Sequence, residues 1–171
     1  MIANKLGYYS LLLGFAISSF LLFYSLNSFK KKKLSIGSNL VSVMSIQLFS
    51  VFLSFVSLIY CFLISDFSNE TVYNNSHTTK PIFYKISGSW GNHEGSLLLW
   101  LLVLTLFIFL FVIFSKKQPI KYRFLTIFFQ HLIITGFFLF LILTSNPFNL
   151  LLPVPKEGLG LNPILQDPAL A

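Results

Sequence analysis

The three histidines of this sequence, His77, His93 and His131, are the residues whose type could support ligand chemistry. A neutral imidazole nitrogen is a good ligand for a transition metal, but a ligand also needs a pocket and usually a second residue that orients its ring. His93 stands beside Glu94 between two glycines, whereas His77 lies in a polar stretch of Asn, Ser and Thr. We expect a structural role for His93, with a ligand role as the alternative, and a solvated side chain for His77.

His131 lies inside an apolar segment, where an ionisable group is costly and usually faces protein or a cofactor. We predict that it forms a hydrogen bond between helices, with Gln130 or Gln47 as the partner. Cys61 is the single cysteine and also lies in an apolar segment, so it can form neither an internal disulfide nor a CxxC pair. The sequence predicts no catalytic residue and no metal site.

The elements that must position these residues are membrane helices. Of the 171 residues, 55% are hydrophobic and 10% are charged, with a mean hydropathy of +0.78, which is far too apolar for an ordinary soluble domain. Each of four apolar stretches reaches the ~20 residues that a spanning helix needs. The stretches are Leu6 to Phe29, Leu40 to Ile64, Gly95 to Ser115 and Phe124 to Thr144. We predict an all-α, polytopic membrane protein with four transmembrane helices.

Basic residues in the connections predict the orientation, because Lys and Arg in short loops stay on the inner side of a membrane. Eight basic residues fall in two connections and predict an inner side, and they are Lys30, Lys31, Lys32, Lys33, Lys116, Lys117, Lys121 and Arg123. All five acidic residues fall on the opposite, outer side. Both termini are therefore expected outside. This asymmetry accounts for the net charge of +7, so no nucleic-acid partner is predicted.

The chain is expected to divide into a four-helix region over residues 1–144, with an outer loop at 65–94, and a proline-rich outer tail over residues 145–171. The outer loop ends in a structural motif where tryptophans anchor a helix start, glycines permit close backbone approach and a carboxylate faces the positive end of the helix dipole. The motif consists of Trp90, Gly91, His93, Glu94, Gly95 and Trp100. The tail is too apolar for a free terminus and should pack on something.

Three sequence runs carry a resemblance to a known family. They are Ser87-Gly-Ser-Trp-Gly-Asn-His-Glu-Gly-Ser-Leu-Leu-Leu-Trp100, Thr144-Ser-Asn-Pro-Phe148 and Glu157-Gly-Leu-Gly-Leu-Asn-Pro-Ile-Leu-Gln-Asp-Pro168. In this order and with this helix spacing, the chain resembles the amino-terminal part of the CcmF family, the haem lyase component of cytochrome c maturation. Within the third run the matching tail residues are Asn162, Pro163, Gln166, Asp167 and Pro168.

The resemblance implies a role in delivering haem to apocytochrome c, where the lyase helps to join haem vinyl groups to the thiols of a Cys-x-x-Cys-His site. The expected partners are the remaining pieces of a split haem lyase, other cytochrome c maturation proteins, apocytochrome c and membrane lipid. Haem is expected on the assembled complex and not on this chain alone, although His93 and His131 are candidate haem ligands. This chain is expected to supply scaffold and outer-surface docking without being catalytic by itself.

The departures from the family leave alternatives open. The tryptophan-rich haem-handling segment and the family's haem-binding histidines find no match in these 171 residues, which suggests one piece of a split or truncated member. A structural accessory subunit of a respiratory or other membrane complex, without haem chemistry, is the alternative function, and a small transporter or channel is a weaker one. The 21 phenylalanines, together with abundant Ile, Asn and Lys, resemble the product of an AT-rich organellar genome, so we expect the mitochondrial inner membrane, with the bacterial inner membrane as the alternative.

Overall fold

The protein is a bundle of four long helices, and the computed structural model describes residues 1–30 and 38–160. The long helices are α1 (Ile2–Lys30), α2 (Ser38–Leu63), α5 (His93–Phe114) and α6 (Ile120–Leu143). Two short helices, α3 (Glu70–Asn75) and α4 (Ile82–Gly88), lie between α2 and α5, and a 3-10 turn (Ser115–Lys117) follows α5. The described residues form no strand, only an isolated bridge between Asn69 and Leu150.

All four long helices are long and apolar enough to cross a membrane, which confirms the predicted number of spans. Helix α1 packs against α2 and α6, and α5 packs against the same two, so the helices form a ring. Polar side chains join them inside the bundle, where few other donors are available. The Ser54 hydroxyl donates to the Gly7 carbonyl at 3.0 Å, and the hydroxyls of Ser18 and Thr135 lie 2.9 Å apart. Large apolar side chains, such as Phe107 and Phe129, cover the outside.

All four long helices begin earlier than predicted, because polar residues join their first turns. Helix α6 begins at Ile120, directly after Pro119, which suits a helix start because its missing N–H costs nothing there. Arg123 was assigned to a loop, and this was wrong: it is only 8% exposed. Its guanidinium donates to the Val112 carbonyl at 2.7 Å and to the Ser115 hydroxyl at 3.0 Å, so its charge lies at the negative end of α5.

The two ends of the bundle differ in charge. We call the end that carries residues 64–94 and 145–160 the loop end, and the end that carries the turn between α5 and α6 the basic end. Lys116, Lys117 and Lys121 are exposed at the basic end, whereas the four acidic residues in the described part of the chain all lie at the loop end. The predicted polar loop at 65–94 is more regular than expected, since it contains α3 and α4.

Candidate functional site at the loop end

The turn between α4 and α5 is built around Asn92, which is 6% exposed. Its side-chain oxygen accepts the Gly95 N–H at 2.7 Å and so caps α5, while its amide nitrogen donates to the Gly88 carbonyl at 2.7 Å. One side chain therefore joins the end of one helix to the start of the next. Asn92 was not among the predicted motif residues, although Asn is among the preferred N-cap residues and an apolar run follows closely.

Gly95 lies where a side chain has no room. A Cβ built on it would stand 1.7 Å from the Ser89 carbonyl oxygen, so the backbones of the turn and of α5 approach as only glycine allows. Gly91 lies in the same turn, and its N–H donates to the Ser87 carbonyl at 2.9 Å. Glu94 lies in the first turn of α5, where a negative charge is favoured by the positive end of the helix dipole. Trp90 and Trp100 are 37% and 63% exposed.

His93 is exposed at the start of α5 and contacts the end of α6. Its Nδ1 lies 3.3 Å from the Ser145 hydroxyl, and its ring meets the Phe140 ring edge to face at 6.4 Å between centroids. No group of three or more His, Cys, Asp or Glu side chains that could hold a metal ion occurs among the described residues. The contacts of His93 with Ser145 and Phe140 join the start of α5 to the end of α6.

His131 is fully buried in the bundle and forms the predicted hydrogen bond to Gln47. Its Nε2 lies 3.1 Å from the Gln47 side-chain amide, and its Nδ1 lies 2.9 Å from the Ile127 carbonyl. A neutral ring has one proton, and the carbonyl requires it on Nδ1, so the amide has to present its NH₂ group to Nε2. That orientation also gives a partner to the Gln47 amide nitrogen, which otherwise has none. Both ring nitrogens are then in use.

The structure does not bring His93 and His131 together. His93 contacts Phe140, nine residues beyond His131 on α6, which corresponds to about 14 Å along the helix axis. One iron atom could not be bound by both rings at that separation. Cys61 is fully buried in α2 and free.

A buried amide pair links three parts of the loop end, and it was not predicted from the sequence. The Asn69 amide nitrogen donates to the Asn4 side-chain oxygen at 2.6 Å and to the Pro147 carbonyl at 2.8 Å. The Asn4 amide nitrogen donates to the Phe148 carbonyl at 3.0 Å, while the Asn69 side-chain oxygen caps α3 by accepting the Val72 N–H. We call these contacts the Asn4–Asn69 network. It ties α1, the loop before α3 and the tail to one another.

The N-terminus also binds at the loop end. The Met1 ammonium forms an ion pair with the Asp66 carboxylate, whose other oxygen accepts hydrogen bonds from the Ser68 N–H and hydroxyl. Burial alone would raise the pKa of Asp66, but the hydrogen bonds from Met1 and Ser68 outweigh it and the pKa is lowered. The start of α1 is thus held against the segment that leaves α2.

The described part of the tail, residues 145–160, packs along the loop end. Its backbone N–H groups at Leu151, Leu159 and Gly160 donate to the carbonyls of Ser68, Tyr73 and Ser76, at 2.8 to 3.2 Å. The predicted packing of the tail is therefore observed over this range, and its partner is the segment from residue 66 to 80. The tail residues Asn162, Pro163, Gln166, Asp167 and Pro168 lie outside the described residues, as does their expected contact with the Trp90 to Glu94 motif.

Glu157 fastens the tail to the loop that contains His77. Its carboxylate accepts hydrogen bonds from the Thr78 N–H at 3.0 Å and hydroxyl at 2.7 Å, and it lies 3.8 Å from the His77 ring. The prediction that His77 is merely solvated was wrong, since the ring also contacts Thr79 at 2.9 Å and is half-buried. The hydrogen bonds from Thr78 lower the pKa of Glu157.

We expect acidification to weaken this tail contact. Because the folded-state pKa of Glu157 is lowered, its stabilising effect is present above the ordinary pKa of 4.5 and is lost as the pH falls through the lowered value. Thr78→Val should raise the pKa of Glu157 toward 4.5, as measured by NMR titration of the side-chain carboxyl. Thr79→Val is the matched control, because the Thr79 hydroxyl contacts His77 and not Glu157. An unchanged Glu157 pKa in Thr78→Val would contradict the assignment.

Comparison with known proteins defines the class to which this site belongs. The Cytochrome C assembly protein family matches residues 90–171. The cytochrome c-type biogenesis protein CycK of Bradyrhizobium diazoefficiens is 41% identical over 171 residues, which is 100% of this chain and 26% of the relative. CcmF of Haemophilus influenzae is 40% identical over 165 residues, covering 95% of this chain and 25% of the relative.

A solved structure titled cytochrome c haem lyase CcmF has the same fold, with a TM-score of 0.76 and 24% identity over 87% of this chain and 25% of that one. The chain is therefore a multi-pass membrane protein of the cytochrome c biogenesis class. It belongs to the CcmF family and spans about a quarter of the length of the relatives described above. Those relatives are bacterial, so they do not test the expected mitochondrial location.

Proposed function

We propose that this chain serves cytochrome c maturation as the membrane scaffold of a CcmF-type haem lyase and provides part of its outer docking surface. The observation that carries the proposal is the Asn4–Asn69 network, which holds α1, the loop and the tail in one arrangement at the loop end. A surface with buried, hydrogen-bonded amides keeps one shape, and a fixed shape is what positioning a substrate requires. The partners would be the haem-binding regions of the lyase, other maturation proteins and apocytochrome c.

The haem of such a complex would bind outside this chain. His131 has both ring nitrogens engaged by Ile127 and Gln47, and His93 contacts Ser145 and Phe140 with no second histidine beside it among the described residues. An axial imidazole needs a free ring nitrogen and a pocket around the haem; His131 has no free nitrogen, and His93 lies exposed at the start of α5. The chain alone would accordingly position the other components without carrying out the attachment.

We expect the chain, expressed alone and purified in detergent, to contain no stoichiometric haem. Purified under native conditions from its own membranes, it should recover haem and cytochrome c maturation proteins, identified by absorption spectrum and mass spectrometry. Haem retained by the isolated chain and lost in His93→Ala or His131→Leu would contradict the scaffold role. Recovery of respiratory-complex subunits without maturation proteins would favour an accessory subunit instead.

The proposal requires the loop end to face the outer side, in the mitochondrial intermembrane space or the bacterial periplasm. Charge supports this orientation, because Lys116, Lys117 and Lys121 are exposed at the basic end, whereas the four acidic residues in the described part of the chain all lie at the loop end. A membrane-impermeant thiol reagent should label a cysteine placed at Asn74 from outside and one placed at Lys117 only after the membrane is opened. Both positions are exposed, and Cys61 is buried and should stay unlabelled. The reverse labelling pattern would refute the orientation.

A further inference from the structure

A small cavity at the loop end has a mixed polar and aromatic lining. It lies between the first two turns of α1 and the start of the tail, and its volume is about 250 Å³. Lys5, Tyr8 and Tyr9 line one wall, and Asn146 and Asn149 line the other. The rings of Tyr8 and Tyr9 lie 6.0 Å apart at 54°, so they form an aromatic corner beside the lysine. Asn4 and Phe148 of the Asn4–Asn69 network also line the cavity, but that network gives no role to Lys5, Tyr8 or Tyr9.

The cavity has donors and one positive charge that the protein itself leaves unused. Lys5 is exposed, and the ion pairs among the described residues involve Met1 with Asp66 and His77 with Glu157, not Lys5. The Asn146 side-chain oxygen accepts the Phe148 N–H, which leaves its NH₂ group as a donor. The Asn149 side chain is exposed and bonds to no other described residue. No acidic residue is among those that line this cavity in the described part of the chain.

The place of the cavity in the fold indicates an amphiphilic ligand. The span of α1 begins at Ile2, so a cavity at residues 4–9 lies at the membrane surface, where tyrosine is enriched. Exposed apolar side chains continue down α1 from this point, Leu6 at 47% and Leu13 at 50%. An anionic group held by Lys5 and the amides would have its acyl chains along that face of α1.

We propose that this cavity binds the phosphate headgroup of an anionic phospholipid in the leaflet at the loop end. The Lys5 ammonium pairs with the phosphate, the amide groups of Asn146 and Asn149 donate to its oxygens, and the glycerol lies against the tyrosine rings. A bound lipid would bridge α1 and the tail, two elements that the Asn4–Asn69 network also joins. The assignment is independent of the proposed role in cytochrome c maturation.

The test compares lipid binding by variants of the full chain in detergent, measured by native mass spectrometry with phosphatidylglycerol and phosphatidylcholine of equal chain length. The wild type should bind phosphatidylglycerol more tightly, and Lys5→Gln should weaken that binding about fivefold, as expected for one surface lysine. Phosphatidylcholine binding should change little. Lys156→Gln is the matched control, since Lys156 is an exposed lysine of the tail outside the cavity. Asn149→Ala should weaken phosphatidylglycerol binding by a smaller factor.

Two results would overturn the proposal. Equal phosphatidylglycerol affinity in the wild type, Lys5→Gln and Lys156→Gln would show that the cavity does not select the headgroup. Displacement of the lipid by inorganic phosphate at equal concentration would show that a free anion is the ligand. Helical circular dichroism of each variant should match the wild type, because both lysines are exposed and removing their charge leaves the helices intact.

Discussion

Replacing Gly95 with alanine is expected to destabilise the protein by about 3 kcal/mol, because a methyl group would collide with backbone that cannot move away. The new Cβ would stand 1.7 Å from the Ser89 carbonyl oxygen and 3.1 Å from the Asn92 amide nitrogen. Ser89 and Asn92 are buried, and Asn92 bonds both helices that flank the turn. Relief of the collision would therefore break the cap of α5 or displace α4.

The matched control is Gly136→Ala, at a glycine of α6 where an added Cβ would meet nothing within 4 Å. Alanine is favoured over glycine inside a helix by up to about 1 kcal/mol, so this variant should unfold at the same temperature as the wild type or above it. Circular dichroism, recorded during thermal unfolding in detergent, measures the melting temperatures of both variants. Equal melting temperatures for the two variants would show that the turn yields easily and that Gly95 is replaceable.

The four spans were predictable because a membrane helix has a signal that needs no tertiary information. A run of about 20 apolar residues has to satisfy its backbone internally, and a helix is the structure that does so. The predicted and observed helices differ at their ends, where a few polar residues continue the helix. Arg123 is the clearest case, since it lies in the first turn of α6 and its guanidinium donates to the Val112 carbonyl across the turn, a contact that no apolar run indicates.

The loop end was harder to predict, because its contacts join residues far apart in the chain. Asn69 bonds Asn4, 65 residues away, and Pro147, 78 residues away, and no local pattern indicates either pairing. The His131 to Gln47 bond was found from a general rule, that a polar group buried in a membrane needs a polar partner. Asn92 had a local signal as an N-cap and could have been found. Lys5, Tyr8 and Tyr9 also had a local signal, since residues at i, i+3 and i+4 share one face of a helix.

Replacing Asn69 with alanine should cost about 3 kcal/mol and loosen the whole loop end. The change removes the α3 cap, about 1 kcal/mol, and leaves the Asn4 oxygen and the Pro147 carbonyl buried without their donor, about 1 kcal/mol or more each. Amide hydrogen exchange should measure the loosening of the loop end most directly. The Glu70 N–H, bonded to Asn149, and the Leu151 N–H, bonded to Ser68, should exchange about a hundredfold faster as the tail opens.

Two further variants separate the parts of this effect. Asn69→Ser keeps an oxygen that can cap α3 but lacks the amide donors, so it should recover about 1 kcal/mol and leave the tail amides fast. Asn74→Ala removes an exposed asparagine from the same short helix and should leave exchange unchanged. If Asn69→Ser restored slow exchange at Glu70 and Leu151, the cap alone would stabilise the loop end. If exchange stays fast in Asn69→Ser, the Asn69 amide is what holds the tail against α1. The surface proposed for docking then depends on the Asn69 side chain.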